Sequence, residues 1–558
     1  MPTLLEHIAA RLAMLHARRV LARFQRTLDN VDTAQQQALM RVLRLVTNSD
    51  FGRRYGLAAV RSLADLRRAV PLATYEDYRP TIDRLCDGDT QALFSPGTPI
   101  LMFATSSGTM ALPKRIPVTP DFVADYRRGW NTFGIKMLAD HPDAVLRAIL
   151  QSSGRHDAET TSAGIPCGAI TGLLALAQKR IVRRFYVGRP EISHVPDARA
   201  RYYTLMRLGV VRDVAFAITA NPATLIQMAR TTDELSETLI RDVHDGTVAP
   251  ELVSDATLRR TLSTGLRPNP RRAAELTRLR RQHGTLRPRD YWRLSFVACW
   301  TGGSLGHYLG RLAEWWGPVP VRDVGLLASE GRVSIPFDDN TPIGVLDVTA
   351  GVFEFIPLAD ADAAHPPTLQ FKELEVGRDY VVVLTNTSGL VRYRLDDVVR
   401  VHGHLGAAPL VEFLHRAGRV ASVAGEKLTE NQLVAAVQAT CRRLALPEFD
   451  FVAAPCWADP PYYRVSATHA EHPALAATLD AELALQNEEY DSRRKSNRLG
   501  PLRVRSVSLT SLTTMDARLA AARRSTTEQY KRPCLFPAPG QDDRALDLAQ
   551  APDAATAS

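Results

Sequence analysis

Short apolar runs alternate with helical patterns along most of this chain, and this alternation limits the folds it can adopt. The runs ILMFAT (100–105), VVRDVAFAIT (210–219) and VPVRDVGLLAS (319–329) are each long enough for one strand. Strands that alternate with helices predict an α/β fold with a largely parallel sheet. Because the chain has 558 residues, it is too long for one compact core and predicts about two to four domains.

The pattern changes twice towards the C-terminus. Residues 344–404 are rich in strand-forming runs, with a turn predicted at Asn386–Gly389. Farther on, the pattern predicts helices near 429–445 and 472–490 and strands near 449–455 and 461–467.

We therefore predict two domains and a tail. The large N-terminal domain spans 1–415 and combines mixed sheets and helices, starting with helices over 1–50. A small, mobile α+β domain spans 416–540. The polar segment 541–558 predicts a disordered tail.

The chain carries a net charge of +9, and its arginines are concentrated at 255–293. Prolines at 268, 270 and 288 break this segment, which predicts short helices with solvated arginines. An anionic partner is the alternative. Few aromatic residues are interleaved for base stacking, so we predict no nucleic-acid partner.

Cysteine usage and hydropathy indicate a cytoplasmic protein. The six cysteines form no CxxC pair and no zinc spacing, which predicts reduced, mostly buried thiols. Charged residues interrupt the amphipathic N-terminus, which argues against a signal peptide. No run of about 18 apolar residues occurs, so no membrane-spanning helix is predicted. The first helix is expected to pack on the protein, with contact at a membrane surface as the alternative.

The stretch FATSSGTMALPKRIPVT (103–119) has the composition of a phosphate-binding loop. Lys114 supplies a mobile positive charge, and Gly108 permits close backbone approach. The pattern is not a Walker loop, because Arg115 follows the lysine. A plain surface loop remains open as the alternative. The hydroxyl-bearing residues of the loop are Ser106, Ser107 and Thr109.

Three later stretches contain candidate functional residues. Glu330 in GLLASEGRVSIP (325–336) could hold Mg²⁺ beside phosphates, or could be a glutamate at a helix N-terminus. Adjacent acids Asp396 and Asp397 lie in VRYRLDDVVRVHG (391–403), where strand alternation predicts that only one faces a pocket. That acid could bind ribose hydroxyls, or could pair with a neighbouring arginine at 392, 394 or 400. Lys531 in EQYKRPC (528–534) has no obvious structural role and could be simply solvated.

These four stretches, in this order, resemble the Gretchen Hagen 3 (auxin-responsive) family of acyl-acid amido synthetases. This family lies within the superfamily of acyl-CoA synthetases, nonribosomal-peptide adenylation domains and luciferases. Its signature loop is similar to Ser106–Thr109 with Lys114, its SE motif to Ser329–Glu330, and its YRxGDVV motif to 393–399. Its C-terminal QxKxPR motif resembles EQYKRPC, and the likeness extends over about 40–540.

The resemblance implies a two-step ligase that uses ATP and Mg²⁺. A carboxylic acid would attack the α-phosphate of ATP to give an acyl-adenylate, and an amine or amino acid would then displace AMP to form an amide. Transfer to coenzyme A or a carrier thiol is one alternative. A catalytically weakened nucleotide- or acyl-binding partner protein is the other.

The resemblance also implies roles for individual residues. Lys531, Glu330 and Thr109 would be catalytic, and Glu330 would also hold the metal. The nucleotide would contact the loop, the ribose acid Asp397 and the glycine-containing segment after Thr301. The implied cofactor-binding residues are Ser106, Ser107, Gly108, Thr109, Lys114, Gly302, Gly303, Ser329, Asp397 and Arg416.

The chain departs from the family pattern at several positions. Met110 and Ala111 stand where relatives have a hydroxyl residue and a glycine, and Leu326 replaces a tyrosine. Asp396 replaces the glycine before the ribose acid, and Cys534 replaces an arginine. The resemblance is weakest over 120–300, where the walls of the substrate pocket are expected.

Overall fold

A computed structural model of the full chain describes residues 4–106, 114–178, 180–361, 363–417, 420–424, 426–522 and 532–547. Within these residues the helices are α1 Leu4–Asp29, α2 Val31–Val46, α3 Asp50–Arg54, α4 Leu63–Ala69, α5 Tyr75–Cys86, α6 Pro120–Asp140, α7 Ile170–Leu176, α8 Arg180–Arg183, α9 Ala198–Gly209, α10 Pro222–Glu234, α11 Ser236–Asp245, α12 Ala256–Ser263, α13 Pro270–His283, α14 Pro288–Tyr291, α15 Leu309–Trp316, α16 Glu430–Leu444, α17 Leu475–Gln486, α18 Glu488–Lys495, α19 Leu509–Ala522 and α20 Gln541–Leu546.

The strands of the described residues form several separate sheets. They are β1 Met102–Ser106, β2 Lys114–Val118, β3 Ala148–Gln151, β4 Glu159–Thr160, β5 Pro166–Gly168, β6 Val214–Ile218, β7 Phe296–Ala298, β8 Val321–Arg322, β9 Leu327–Ala328, β10 Gly331–Arg332, β11 Ser334–Pro336, β12 Gly344–Leu346, β13 Val352–Pro357, β14 Asp379–Thr385, β15 Tyr393–Leu405, β16 Ala408–Arg416, β17 Val420–Ala421, β18 Leu428–Thr429, β19 Phe451–Cys456, β20 Tyr462–Ala467 and β21 Arg503–Ser506.

One sheet is parallel, with strand order β3-β6-β7-β8. Its strands β6 and β7 are buried along their whole length, as expected of parallel strands covered on both faces. The predicted apolar run 319–329 gives two short strands rather than one, β8 and β9. The carboxyl ends of β3, β6, β7 and β8 therefore meet at one edge, where ligands bind in α/β proteins.

The largest sheet is antiparallel and is built mostly from the strand-rich region 344–404, so the large domain combines parallel and antiparallel sheets, as the prediction of mixed sheets states. Its order is β11-β12-β16-β15-β14-β13, and each neighbouring pair runs antiparallel. Short connections join β14 to β15, through the predicted turn at 386–389, and β15 to β16, whereas residues 358–378 join β13 to β14. Short connections permit only antiparallel neighbours, because a parallel pair needs a long crossover. A further mixed sheet has the order β2-β1-β5-β4.

The C-terminal part has its own hydrophobic core, formed by buried residues between Ala421 and Leu535. This core supports the predicted small domain, although the proposed boundary at 415/416 stays a prediction. Its sheet has the order β19-β20-β21. The predicted helix near 429–445 and the two predicted strands are confirmed. The helix predicted near 472–490 is instead two helices, α17 and α18, since Asn487 has extended backbone and caps the second.

Residues 541–546 are helical, so the prediction of a disordered tail beginning at 541 is wrong for this segment. Asp542 at the start of α20 is fully buried. Its carboxylate lies 2.8 Å from Arg464 on β20 and 3.3 Å from Arg505 on β21. These ion pairs hold the helix on the sheet, which the polar composition did not reveal.

The arginine-rich segment 255–293 forms α12, α13 and α14, as predicted. Pro270 and Pro288 occupy the first position of α13 and α14, where the missing N–H costs nothing. Several of its arginines, such as Arg271 and Arg278, are exposed. All six cysteines are free and buried. Within the described parts of the chain, none of the helices has both the length and the apolarity needed to cross a membrane.

Candidate active site

A cavity of about 280 Å³ lies at the carboxyl edge of the parallel sheet. Ser152, Thr219, Trp300 and Asp323, which follow β3, β6, β7 and β8, all line it. Its remaining walls include side chains of α6, α7 and α10, within the predicted range 120–300, but more than half of the lining residues lie beyond position 300. The helix residues that line it are Tyr126, Ile170, Thr171 and Thr224.

Glu330 lies in a tight hairpin at the rim of this cavity, and not at a helix N-terminus. Ser329 and Glu330 form the turn between β9 and β10, because Ala328 pairs with Gly331. The Ser329 hydroxyl donates to the carbonyl of Thr105 on β1 at 3.1 Å. The turn is thereby tied to the strand that leads into the predicted phosphate loop. Both Ser329 and Glu330 line the cavity.

Lys114 and Tyr393 surround the Glu330 carboxylate, which is only 2% exposed. The Tyr393 hydroxyl donates to Glu330 Oε1 at 3.3 Å, and Lys114 Nζ lies 3.7 Å from the same oxygen. Lys114 Nζ also donates to the Tyr393 hydroxyl at 2.9 Å. Burial and the negative charge of Glu330 raise the pKa of Tyr393, so its hydroxyl keeps its proton and acts as a donor. Tyr393 was not among the predicted site residues, although it opens the YRLDDVV motif.

Asp397 and Arg416 lie opposite each other on β15 and β16 and both line the cavity. Arg416 Nε lies 3.7 Å from Asp397 Oδ1. Burial acts to lower the pKa of Arg416, but the negative charges of Asp397 and Glu330 outweigh it and raise the pKa overall. The arginine therefore stays cationic and can orient the acid.

Asp396 is not among the residues that line the cavity, as the alternation along the strand predicts. Its carboxylate accepts a hydrogen bond from Arg394 Nε at 2.6 Å. Its backbone has a φ of +63°, in the left-handed region that explains a glycine at this position in the resembled motif. Aspartate tolerates this conformation better than most residues.

Gly302 and Gly303 place the loop after β7 against β16. Gly302 lines the cavity. Gly303 has a φ of +59°, and a Cβ atom there would lie 2.8 Å from the carbonyl oxygen of Leu414. Only glycine combines this backbone conformation with so close an approach.

Asp323, which the motifs did not indicate, anchors the same loop. This 3% exposed side chain accepts from the Thr301 amide at 2.6 Å and from its hydroxyl at 2.8 Å. It also accepts from the Gly325 amide at 2.6 Å. Burial raises the pKa of Asp323, while the N–H donors favour its charged form. Its place as the one acidic residue within the apolar run 319–329 is the sequence signal that could have identified it.

We expect Gly303→Ala to destabilise the protein by about 2–3 kcal/mol, because it combines backbone strain with a steric clash. Gly284→Ala is the matched control, since Gly284 has a φ of +71° but a Cβ atom there would meet no neighbouring atom within 4 Å. The control should lose about 1 kcal/mol from backbone strain alone. Urea denaturation of both variants measures the difference. Equal losses in the free energy of unfolding would show that the close approach of Gly303 to Leu414 does not contribute to the destabilisation.

Several predicted residues fall outside the described part of the chain: Ser107, Gly108, Thr109 and Lys531. Ser106 ends β1, and its backbone pairs with Lys114 at the start of β2. The predicted phosphate loop thus connects two paired strands beside the Glu330 turn.

The segment that follows Lys531 is anchored beside the cavity. Arg532 lies 2.6 Å from Asp450 and 2.6 Å from Asp516. The Cys534 amide donates to the carboxylate of Glu430, and Glu430 itself lines the cavity. These contacts tether the chain near position 531 to the wall of the candidate site.

The large α/β region, the small C-terminal domain and the cavity between strand ends define the fold of an acyl acid amido synthetase. The structure superimposes with a TM-score of 0.83 on a solved structure described as the AtGH3.15 acyl acid amido synthetase in complex with 2,4-DB. The two share 19% sequence identity, over 95% of this chain and 96% of the other.

The chain belongs to the GH3 family and is an enzyme of the amido synthetase class of ligases. The family's N-terminal domain profile matches residues 20–321, its central domain profile 344–416 and its C-terminal domain profile 431–539. The resemblance found from the four motifs is therefore confirmed.

Two relatives match this chain over most of their own length. A jasmonoyl–L-amino acid synthetase, JAR6 of Nicotiana attenuata, is 26% identical over 521 residues, which cover 88% of each chain. A probable indole-3-acetic acid-amido synthetase, GH3.1 of Oryza sativa subsp. japonica, is 26% identical over 547 residues, covering 91% of this chain and 88% of the relative.

Proposed function

We propose that this protein uses ATP and Mg²⁺ to convert a carboxylic acid into an acyl-adenylate, and then joins the acyl group to an amine or amino acid. The observation that carries the proposal is the convergence of Glu330, Asp397 and Arg416 on one cavity, in a chain of the GH3 family. These residues come from separate motifs, and each suits a different part of a bound nucleotide.

The charged residues in and beside the cavity are suited to binding a nucleotide. Asp397 supplies a carboxylate for the ribose hydroxyls, and the neighbouring Arg416 orients that carboxylate. Lys114 supplies positive charge at the end of the phosphate loop. Leu326 lines the cavity in the place of the motif tyrosine, so the adenine would meet an aliphatic surface there.

The donor set also fits Mg²⁺. Glu330 offers one buried carboxylate at the cavity wall, and Mg²⁺ in phosphate sites commonly takes one or two carboxylates with phosphates and water as its other ligands. The ion would supply positive charge to offset the phosphate groups. Lys114 and Tyr393 hold the Glu330 carboxylate in position for this role. Thr109 and the other loop residues would bind the β- and γ-phosphates, and Lys531 would approach the acid and the α-phosphate.

An amine is favoured over a thiol as the acceptor, because one relative is named a jasmonoyl–L-amino acid synthetase and the other a probable amido synthetase. The acid would occupy the part of the cavity between α6, α7 and α10, whose lining residues carry no formal charge. Transfer to coenzyme A and a weakened, ligand-binding role remain the alternatives. We also propose a cytoplasmic location, on the basis of the six free, buried thiols.

Acid-dependent exchange of radiolabel between pyrophosphate and ATP tests the first half-reaction. We expect at least one acid of a broad aryl and aliphatic panel to support exchange with Mg²⁺ present. Failure with the whole panel would contradict the enzymatic proposal and favour a binding role.

Mass spectrometry of the products tests the second half-reaction. Mixtures that contain the active acid, ATP and either a set of amino acids or coenzyme A separate the two acceptors. We expect an amide product. If a thioester formed and no amide did, the acceptor would be the thiol of coenzyme A and not an amine.

Asp397→Asn should raise the KM for ATP about ten- to a hundredfold, because it removes a charged hydrogen-bond acceptor for the ribose. Asp396→Asn is the matched control, since the neighbouring acid pairs with Arg394 instead of lining the cavity. The control should change the KM by no more than about twofold. Exchange kinetics at varied ATP measure both. An equal effect of the two changes would argue against Asp397 as the ribose acid.

A further inference from the structure

A second cavity, of about 550 Å³, lies away from the candidate active site. The two cavities share no lining residue. Arg212 lines the second one and precedes β6, whereas the active-site cavity lies at the carboxyl ends of the parallel strands. Residues 185–187 extend the sheet beside β3, and two of them, Tyr186 and Val187, line the second cavity.

Four arginines line this cavity: Arg183, Arg184, Arg189 and Arg212. Among the described side chains, no ion pair joins any of them to a carboxylate. Glu191 is the single acidic residue of the lining, so four positive charges against one negative leave an excess of three. By contrast, Arg241 on α11 pairs with Glu251 at 2.6 Å. The second cavity therefore concentrates positive charge that the described part of the protein does not neutralise.

Main-chain carbonyls hold two of these guanidinium groups in place. Arg189 donates to the carbonyl of Thr264 at 2.8 Å. Arg212 donates to the carbonyl of Tyr186 at 2.9 Å and to that of Arg184 at 2.7 Å. Burial and the nearby charge of Arg189 lower the pKa of Arg212. The two cations are fixed close enough to repel each other, and a bound anion would relieve this repulsion.

Apolar side chains form another part of the lining. Val187 and Leu208 are buried there, and Val211 and Leu266 complete the surface. The volume falls within the range of about 300–1,000 Å³ typical of small-molecule sites. A ligand that is complementary to both the arginines and the apolar residues of the lining carries a multiply charged group next to an apolar group.

We propose that this arginine-lined cavity is a second ligand site, which binds a small molecule that carries a multiply charged oxyanion beside an apolar group. Guanidinium groups suit phosphate and carboxylate oxygens, because their planar donors match two oxygens at once. The three excess positive charges favour a polyanion over a monocarboxylic acid such as the proposed acyl substrate. This proposal does not depend on the proposed ligase activity.

Isothermal titration calorimetry with inorganic tripolyphosphate and with citrate tests the site. Arg183 and Arg184 have exposed side chains without hydrogen bonds to the described protein, so R183Q/R184Q should fold normally, as circular dichroism can verify. We expect this double change to weaken binding of at least one probe about tenfold. The probe that binds more tightly to the wild type identifies the oxyanion as phosphate or polycarboxylate.

R271Q/R278Q is the matched control, because it removes two exposed arginines of α13 and changes the net charge equally. Its affinity should equal that of the wild type. A charge reversal, R184E, should weaken binding as a second, independent variant. Absence of binding to the wild type, or equal affinity in all four proteins, would overturn the proposal.

Discussion

Glu330→Gln should reduce acid-dependent ATP–pyrophosphate exchange by about 100- to 1,000-fold, the loss typical when a group that stabilises transition-state charge is removed. Glu330 supplies the carboxylate at the turn beside the phosphate loop, and it is almost fully buried. Glutamine keeps the oxygen that accepts from Tyr393 but loses the charge that a metal ion needs. The concentration of Mg²⁺ required for half-maximal exchange should rise as well.

Glu237→Gln is the control for this change. Glu237 is 84% exposed on α11, pairs with Arg280 at 3.0 Å and is not among the residues that line the cavity. Its exchange rate should match that of the wild type. Undiminished exchange in Glu330→Gln would remove this carboxylate from the proposed metal site.

Lys531→Ala should lower the exchange rate by a similar factor, about 100-fold or more, while nucleotide binding persists. The family motif assigns the lysine to the reacting carboxylate and α-phosphate. Arg532 and Cys534 anchor the segment that follows the lysine to Asp450 and Glu430. Exchange kinetics combined with calorimetric binding of ATP separate the two effects.

Lys495→Ala serves as the control for the lysine. Lys495 lies in the same domain, is 76% exposed and pairs with Asp491 at 2.7 Å. The control should retain full exchange and full ATP binding. If Lys531→Ala also retained full exchange, the lysine would have no part in adenylation.

Local sequence patterns predicted those helices and turns that are stabilised by residues close together in the chain. Helix α16 begins after Thr429, whose hydroxyl and Gln432 cap each other across the first turn. The turn at 386–389 has its glycine at a positive φ of +85°. The residues that form such a cap or turn lie within a few positions of one another, so a local sequence pattern is enough to predict it.

The direction of strand pairing and the contacts between distant residues were harder to predict from the sequence. Short apolar runs gave a parallel strand at 214–218 and an antiparallel strand at 379–385. The helix α20 depended on ion pairs with Arg464 and Arg505, which lie far away along the chain. An apolar run fits either direction of pairing, and only the connections and the packing partners decide between them.

The sequence by itself determined the family, the order of the candidate nucleotide-binding motifs and most helices, because motifs and caps are properties of adjacent residues. Only the tertiary structure showed that Lys114 and Tyr393 meet Glu330, that Asp323 holds the loop of Gly302, and that four arginines surround a second cavity. Contacts of this kind depend on strand register and on the packing of distant segments. One local sequence pattern is compatible with several registers and packings, so it does not specify these contacts.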